Sequence, residues 1–317
     1  MKRAWKLVAV VGAVALTVAA CGDDDDDTVA GDDAGGASCT DQDQDGPTVQ
    51  IGAQDFGESL ILAEIYAGAL ECQGIEAEIT EVGGFRDLLF QAIEAGDVNL
   101  APEYVASELE FLNDNAGEAT SDVDETLGLL EPLLEERELV ALEPSSAVNT
   151  NAFVITQETS EEMGIETLSD LAEEGEDLTL GAPQDCEDNP FCLPGLERVY
   201  GLDLSENFTP LDTGLIPTAL GEGEIDVAVL FSTDGRIADE GWVLLEDDQQ
   251  MLAADNVFPL ATQELVDAYG DTLTGTLGEV SAALTTEELT ELNKLYDVDH
   301  DEAEDIAEDW LAEHELG

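Results

Sequence analysis

Basic side chains are almost missing from this sequence. Eight Lys and Arg stand against 76 Asp and Glu in 317 residues, a formal net charge of −68. Three of the eight, Lys2, Arg3 and Lys6, lie at the extreme N-terminus, so the rest of the chain has only Arg86, Arg137, Arg198, Arg236 and Lys294. Nucleic acid and anionic headgroups are bound through cations that displace counterions, and a chain of this charge repels both. The acidic residues are spread along the whole sequence, so they imply no acidic substrate. They fit a solvated surface in a high-salt setting, where a Debye length of about 3 Å at 1 M salt screens self-repulsion. A halophilic source is the expectation.

Histidine is equally scarce. His300 and His314 both fall in acidic C-terminal segments, so a Ser–His or Cys–His dyad would have to be built from the periphery. No nucleophile elbow, phosphate loop or zinc spacing occurs, and carboxylates are too abundant for one pair to stand out. No catalytic residue, metal or cofactor is therefore assigned. Asp41-Gln42-Asp43-Gln44-Asp45-Gly46 opens like a calcium-binding EF-hand loop, but position twelve would be Gly52 rather than a bidentate Glu. Asp297-Val298-Asp299-His300-Asp301 lacks the Gly at its sixth position and reads instead as the acidic entry to a last helix, complementing its dipole.

The N-terminal 21 residues have the layout of a lipoprotein signal peptide. A basic n-region precedes the apolar stretch Leu7 to Ala20, which ends in Val18-Ala19-Ala20-Cys21. The apolar run is short for a spanning helix, which needs about 20 such residues, and a small-small-Cys ending suits lipidation of Cys21. Residues 22–47 are Asp, Gly, Ala, Ser and Gln without apolar periodicity and read as a disordered acidic tether. The remaining cysteines, Cys39, Cys72, Cys186 and Cys192, are even in number in an oxidising compartment. Two disulfides are expected, with Cys186–Cys192 and Cys39–Cys72 the natural pairing of three that sequence allows.

From Thr48 onward short β-rich runs alternate with helical ones, the signature of an α/β fold. Strands are expected at Val49–Gly52, Ile75–Glu81 and Val98–Ala101, with helices over 58–73 and from Phe85 to Ala95. A second set of strands is expected at Ala152–Thr156, Leu178–Gly181 and Val227–Phe231. Helices near Leu193–Tyr200 and Leu215–Leu220 lie between them. Beyond Val257 the pattern turns helical. A chain that leaves one lobe near residue 150 and returns near 255 makes a first lobe of 48–150 plus 255–317 and a second of 151–254. Such a crossover leaves a hinge and a cleft between the lobes.

Aromatic residues are few, 5% of the chain, yet Phe56, Phe85, Tyr104, Phe191 and Phe231 fall in expected loops or at strand ends. Open α/β sheets bind ligands there. A quaternary ammonium cannot donate hydrogen bonds and is held by aromatic faces, each worth about 0.5–2 kcal/mol. Arg86, in Gly83-Gly84-Phe85-Arg86, either meets a ligand carboxylate or pairs with a neighbouring one.

The segment Ile51-Gly52-Ala53-Gln54-Asp55-Phe56-Gly57-Glu58-Ser59-Leu60-Ile61 resembles the N-terminal motif of substrate-binding proteins from ABC importers for glycine betaine, choline and carnitine. Pro102-Glu103-Tyr104, Asn149-Thr150-Asn151-Ala152, Phe191-Cys192-Leu193-Pro194-Gly195-Leu196 and Thr233-Asp234-Gly235-Arg236-Ile237 match further family segments in order. The closing Trp310-Leu311 region resembles the family's last helix, so the likeness spans 48–317. It implies a type II periplasmic-binding-protein fold, an aromatic cage with Tyr104, Phe231 and Phe191, polar lining from Gln54, Asp55 and Asn151, and a ligand contact from Thr233 in a second-lobe loop. Permease and ATPase partners follow from the same resemblance; the lipobox Cys21 implies an extracytoplasmic, lipid-anchored location, and a monomer is expected. Asp55 stands where the family usually has an uncharged polar residue, which would favour a cation such as choline over a zwitterion. Capture of an amino acid or polyamine, or an extracellular lipoprotein enzyme, are the rival expectations.

Overall fold

The alternation of β-branched and helical runs from Thr48 onward produces two mixed sheets. A computed structural model describes residues 39–317 apart from Asp41 and Phe85. The expected signal peptide, Cys21, most of the tether and Phe85 lie outside the described residues.

The first sheet begins with β1 (Val49–Gln54), α1 (Gly57–Cys72), β2 (Ala77–Gly83), α2 (Arg86–Ala95) and β3 (Leu100–Tyr104). α3 (Val105–Leu112), α4 (Val123–Glu135) and β4 (Leu139–Ala141) follow. The second sheet's segment is β5 (Asn151–Ile155), α5 (Gln157–Met163), α6 (Leu168–Glu174), β6 (Leu180–Ala182), α7 (Leu193–Gly195) and β7 (Phe208–Pro210). It ends with α8 (Ile216–Gly221), β8 (Val227–Phe231), α9 (Arg236–Asp239) and β9 (Val243–Leu244). The chain then returns through β10 (Val257–Thr262) to α10 (Gln263–Tyr269), α11 (Asp271–Ala283), α12 (Thr286–Lys294) and α13 (Ala303–Glu313).

The strand orders are β2-β1-β3-β10-β4 and β7-β6-β8-β5-β9. Each sheet has a parallel core, and each gains antiparallel pairing from one inserted strand: β10 beside β3 and β4, and β5 beside β8 and β9. The two connecting segments bond to one another. Val148 bridges Asn256, Asn149 N–H donates to the Asp255 carbonyl at 3.0 Å, and Asn256 Nδ2 donates to the Ser145 carbonyl at 2.9 Å.

α1 shows why the first half folds as it does. Ile61, Leu62, Ile65, Tyr66, Ala69 and Leu70 are fully or almost fully buried, so apolar residues surround most of the helix, as expected of one enclosed by protein. Sheet residues Val49 and Ile51 cover one side, and Ile306, Trp310 and Leu311 of α13 cover another. Gly68 allows the close approach: a Cβ there would stand 2.5 Å from Leu311 Cδ1. The Cys39–Cys72 disulfide ties the segment before β1 to the end of α1, and Cys186–Cys192 closes a loop of the second sheet's segment.

Two expectations need correction. Pro102-Glu103-Tyr104 is not a loop after the strand but the strand itself, and residues 257–262 are a strand rather than the start of a helical tail. Both errors have one cause. Proline cannot donate to a ladder and weakens a strand assignment, yet Pro102 stands directly opposite Pro259, where β3 and β10 pair.

Candidate functional site

The carboxyl ends of β1, β3, β6, β7 and β8 open onto one cavity of about 1150 Å³. The first sheet's segment contributes Gln54, Phe56, Arg86, Tyr104 and Ser107; the second contributes Asn151, Pro183, Leu211 and Phe231. The volume exceeds the roughly 300–1,000 Å³ usual for small-molecule sites. Of the residues expected from sequence, Gln54, Phe56, Arg86, Tyr104, Asn151 and Phe231 come together here.

Three rings mark this cavity. Phe56 and Tyr104 lie 6.5 Å apart between centroids with planes inclined at 33°, and Phe231 lines the cavity from the other sheet. Phe56 and Phe231 are 39% and 45% exposed, so both have ring surface free to meet a ligand. Tyr104 is almost buried, and burial together with the adjacent Glu58 raises its phenol well above the ordinary tyrosine value.

Asp55, Phe191 and Thr233 are placed elsewhere. Asp55 follows β1, exposed to solvent and outside the cavity lining. Phe191 packs against the apolar cluster of Phe90, Leu109 and Phe258 and lines a separate cavity of about 310 Å³, while its carbonyl accepts from Asn151 Nδ2 at 3.3 Å. Thr233 is fully buried and donates to Glu58.

Glu58 is the residue that sequence reasoning left unassigned. It sits in the first turn of α1, nearly buried. Its Oε1 accepts from Tyr104 Oη at 2.5 Å and Asn149 Nδ2 at 2.7 Å, and its Oε2 from Thr233 Oγ1 at 2.7 Å and Asn293 Nδ2 at 2.5 Å. The donors come from β3, a connecting segment, the loop after β8 and α12. One carboxylate thereby joins both sheets' segments and fixes the Tyr104 ring. Asn293 lies 235 residues away, and no local signal could have announced it.

Arg86 takes the second of its two expected roles, pairing within the protein. Its guanidinium donates through Nε at 3.0 Å and through a terminal nitrogen at 2.7 Å to Glu103 Oε2, and its Nε is 3.1 Å from Glu108. Gln54 Nε2 donates to the other Glu103 oxygen at 3.0 Å. Burial, reinforced by the Glu103 charge, raises the Glu108 carboxyl well above the usual range. Burial also pushes Asp255 up to about 6, although Ser107, Ala106 and Arg86 oppose the shift. Asp255 Oδ1 accepts from the backbone of Ala106 and Ser107, both at 2.9 Å, anchoring the start of α3.

Two mixed sheets joined by paired connectors around an aromatic-bearing cleft define a solute-binding protein of the periplasmic type. A family model described as the substrate binding domain of ABC-type glycine betaine transport systems matches residues 47–313, and the chain belongs to that family. It is the substrate-binding component of an ABC transporter. The carnitine transport binding protein OpuCC of Listeria monocytogenes is 29% identical over 268 residues, covering 83% of this chain and 86% of the relative. A glycine-betaine-binding protein of Pseudomonas aeruginosa is 28% identical over 285 residues, covering 85% and 88%. A crystal structure described as that of a glycine betaine/carnitine/choline ABC transporter superposes with a TM-score of 0.73 at 27% identity, covering 84% of this chain and 99% of that one.

Proposed function

We propose that this protein captures a quaternary ammonium osmoprotectant, of the glycine betaine, choline or carnitine type, outside the cell membrane and delivers it to a permease and its ATPase. The observation that supports this most is the placement of Phe56 and Tyr104 from one sheet and Phe231 from the other on a single cavity. Bringing the sheets together around a methylated ammonium would surround it with ring faces, an arrangement that holds a cation lacking hydrogen-bond donors. Gln54 and Asn151 supply polar lining.

In this account the lobes are residues 48–150 plus 255–317 and residues 151–254, hinged where the two connecting segments bond to each other. The protein is an extracytoplasmic lipoprotein, anchored through Cys21 by the tether of residues 22–47, and works as a monomer without enzymatic activity. Anchoring by several acyl chains on one residue is consistent with about 0.8 kcal/mol for each buried CH₂.

Isothermal titration at multimolar salt with choline, glycine betaine, carnitine, ectoine and putrescine tests the function. At least one quaternary compound should bind with one-to-one stoichiometry, and Tyr104→Ala should weaken it about tenfold or more, the equivalent of about 1.4 kcal/mol. Tighter binding of putrescine than of every quaternary compound would place the protein among polyamine binders instead.

A further inference from the structure

We infer that the preferred ligand is a quaternary ammonium alcohol of the choline type, not a zwitterion with a carboxylate such as glycine betaine or carnitine. This rests on the function proposed above and narrows its substrate class. Two features of the cleft lead to it: most of its donor side chains already bond within the protein, and three of its carboxylates do not.

A ligand carboxylate needs cations or N–H and O–H donors. Arg86 is the one basic side chain lining the cavity among the described residues, and Glu103 takes two of its N–H groups. The lining amides are similarly occupied: Gln54 donates to Glu103, Asn149 to Glu58 and Asn151 to the Phe191 carbonyl. Both hydroxyls on the first-sheet side are turned inward, Tyr104 to Glu58 at 2.5 Å and Ser107 to Asp255 at 2.5 Å. Gln184 donates to Glu187. Only Asn189 and Thr213 among the donor-bearing lining side chains have no acceptor within hydrogen-bonding distance among the described residues.

Acceptors show the opposite balance. Asp185, Asp188 and Asp212 line the second-sheet side, are exposed, and have side chains that accept no hydrogen bond and form no ion pair among the described residues. They face a cavity whose far wall contains Asp255 and a single guanidinium, that of Arg86, which Glu103 already pairs from behind the lining. A carboxylate brought into this space meets like charge with few donors to offset it. A hydroxyl does not, because it is neutral and can donate to any of the free carboxylates, while the trimethylammonium gains from both the rings and the negative field. Asp55, the residue whose charge first suggested this preference, lies outside the lining, and the preference belongs to the second-sheet carboxylates.

Competitive titration of the mature protein with choline and glycine betaine decides the matter, at the lowest salt at which circular dichroism shows the fold intact. Choline should bind at least about tenfold tighter, and the triple variant Asp185→Asn, Asp188→Asn, Asp212→Asn should shrink that ratio severalfold. These side chains are exposed and unbonded, so the variant should fold. Betaine binding as tightly as choline overturns the inference while leaving capture of quaternary ammonium compounds intact. An undiminished ratio in the triple variant overturns the assignment to these carboxylates, and binding of neither compound overturns the underlying function.

Discussion

Replacing Glu58 removes one buried carboxylate that accepts from four side chains. In Glu58→Ala the hydroxyls of Tyr104 and Thr233 and the amide of Asn149 lose their acceptor, while Asn293 Nδ2 keeps the Thr233 carbonyl at 3.1 Å. Three buried donors are then orphaned, each at about 1–3 kcal/mol, so a loss of about 4 kcal/mol is expected after partial relaxation. Glu58→Gln should be milder. A Gln amide in place of Oε1 meets Tyr104 Oη, which can reverse its role, and Asn149, whose buried Oδ1 has no partner among the described residues and can turn to accept. The expected cost is about 1–2 kcal/mol. Native stabilities are about 5–15 kcal/mol, and 1 kcal/mol moves the midpoint of a chain this size by roughly 2–4 °C. Thermal unfolding followed by circular dichroism at multimolar salt should thus place the Ala variant about 10 °C below wild type and the Gln variant between them. Equal midpoints for wild type and Ala, or a Gln variant less stable than Ala, would refute the role of this carboxylate as the junction of the two halves.

Further outcomes follow from the same structure. Asp255 titrates near 6 when folded because burial disfavours its charge, so its folded value lies above the unfolded one. Its contribution to stability is therefore complete below about pH 4 and is lost as pH rises through 6. Urea unfolding should show a smaller stability gain between pH 7.5 and pH 5 in Asp255→Asn than in wild type, and equal gains would contradict the assignment. Replacing Cys39 and Cys72 with Ser opens a loop of sequence separation 33; loop entropy sets the loss at about 3.5–4 kcal/mol, measurable by urea midpoint. A chain with 76 acidic residues and eight basic ones should gain thermal stability from low to multimolar salt. Equal midpoints would remove the salt-adaptation account.

The fold was legible to the extent that it was local. The 3.6-residue spacing of Leu60, Ile61, Ile65 and Ala69 announced α1, and the short runs at Val49, Ala152 and Val227 announced strands that the sheets contain. β10 was not legible, because its strand character comes from β3 and β4 on either side and its own sequence contains Pro259. Short elements such as β7, three residues long, likewise exist only through a neighbour. At the site, aromatic placement at strand ends pointed to Phe56, Tyr104 and Phe231, which line one cavity, since strand ends are fixed by local pattern. Glu58, Asn149 and Asn293 meet across separations of 91 and 235 residues, a convergence that no spacing encodes. Thr233, which the resemblance places at the ligand, completes that buried junction.

Capture of a methylated ammonium by aromatic faces can be observed directly by saturation-transfer difference NMR on choline mixed with the mature protein. The strongest transfer should fall on the N-methyl protons, and it should vanish in the Tyr104→Ala, Phe231→Ala double variant. Absence of transfer to wild type, or N-methyl transfer undiminished in the double variant, would contradict the account.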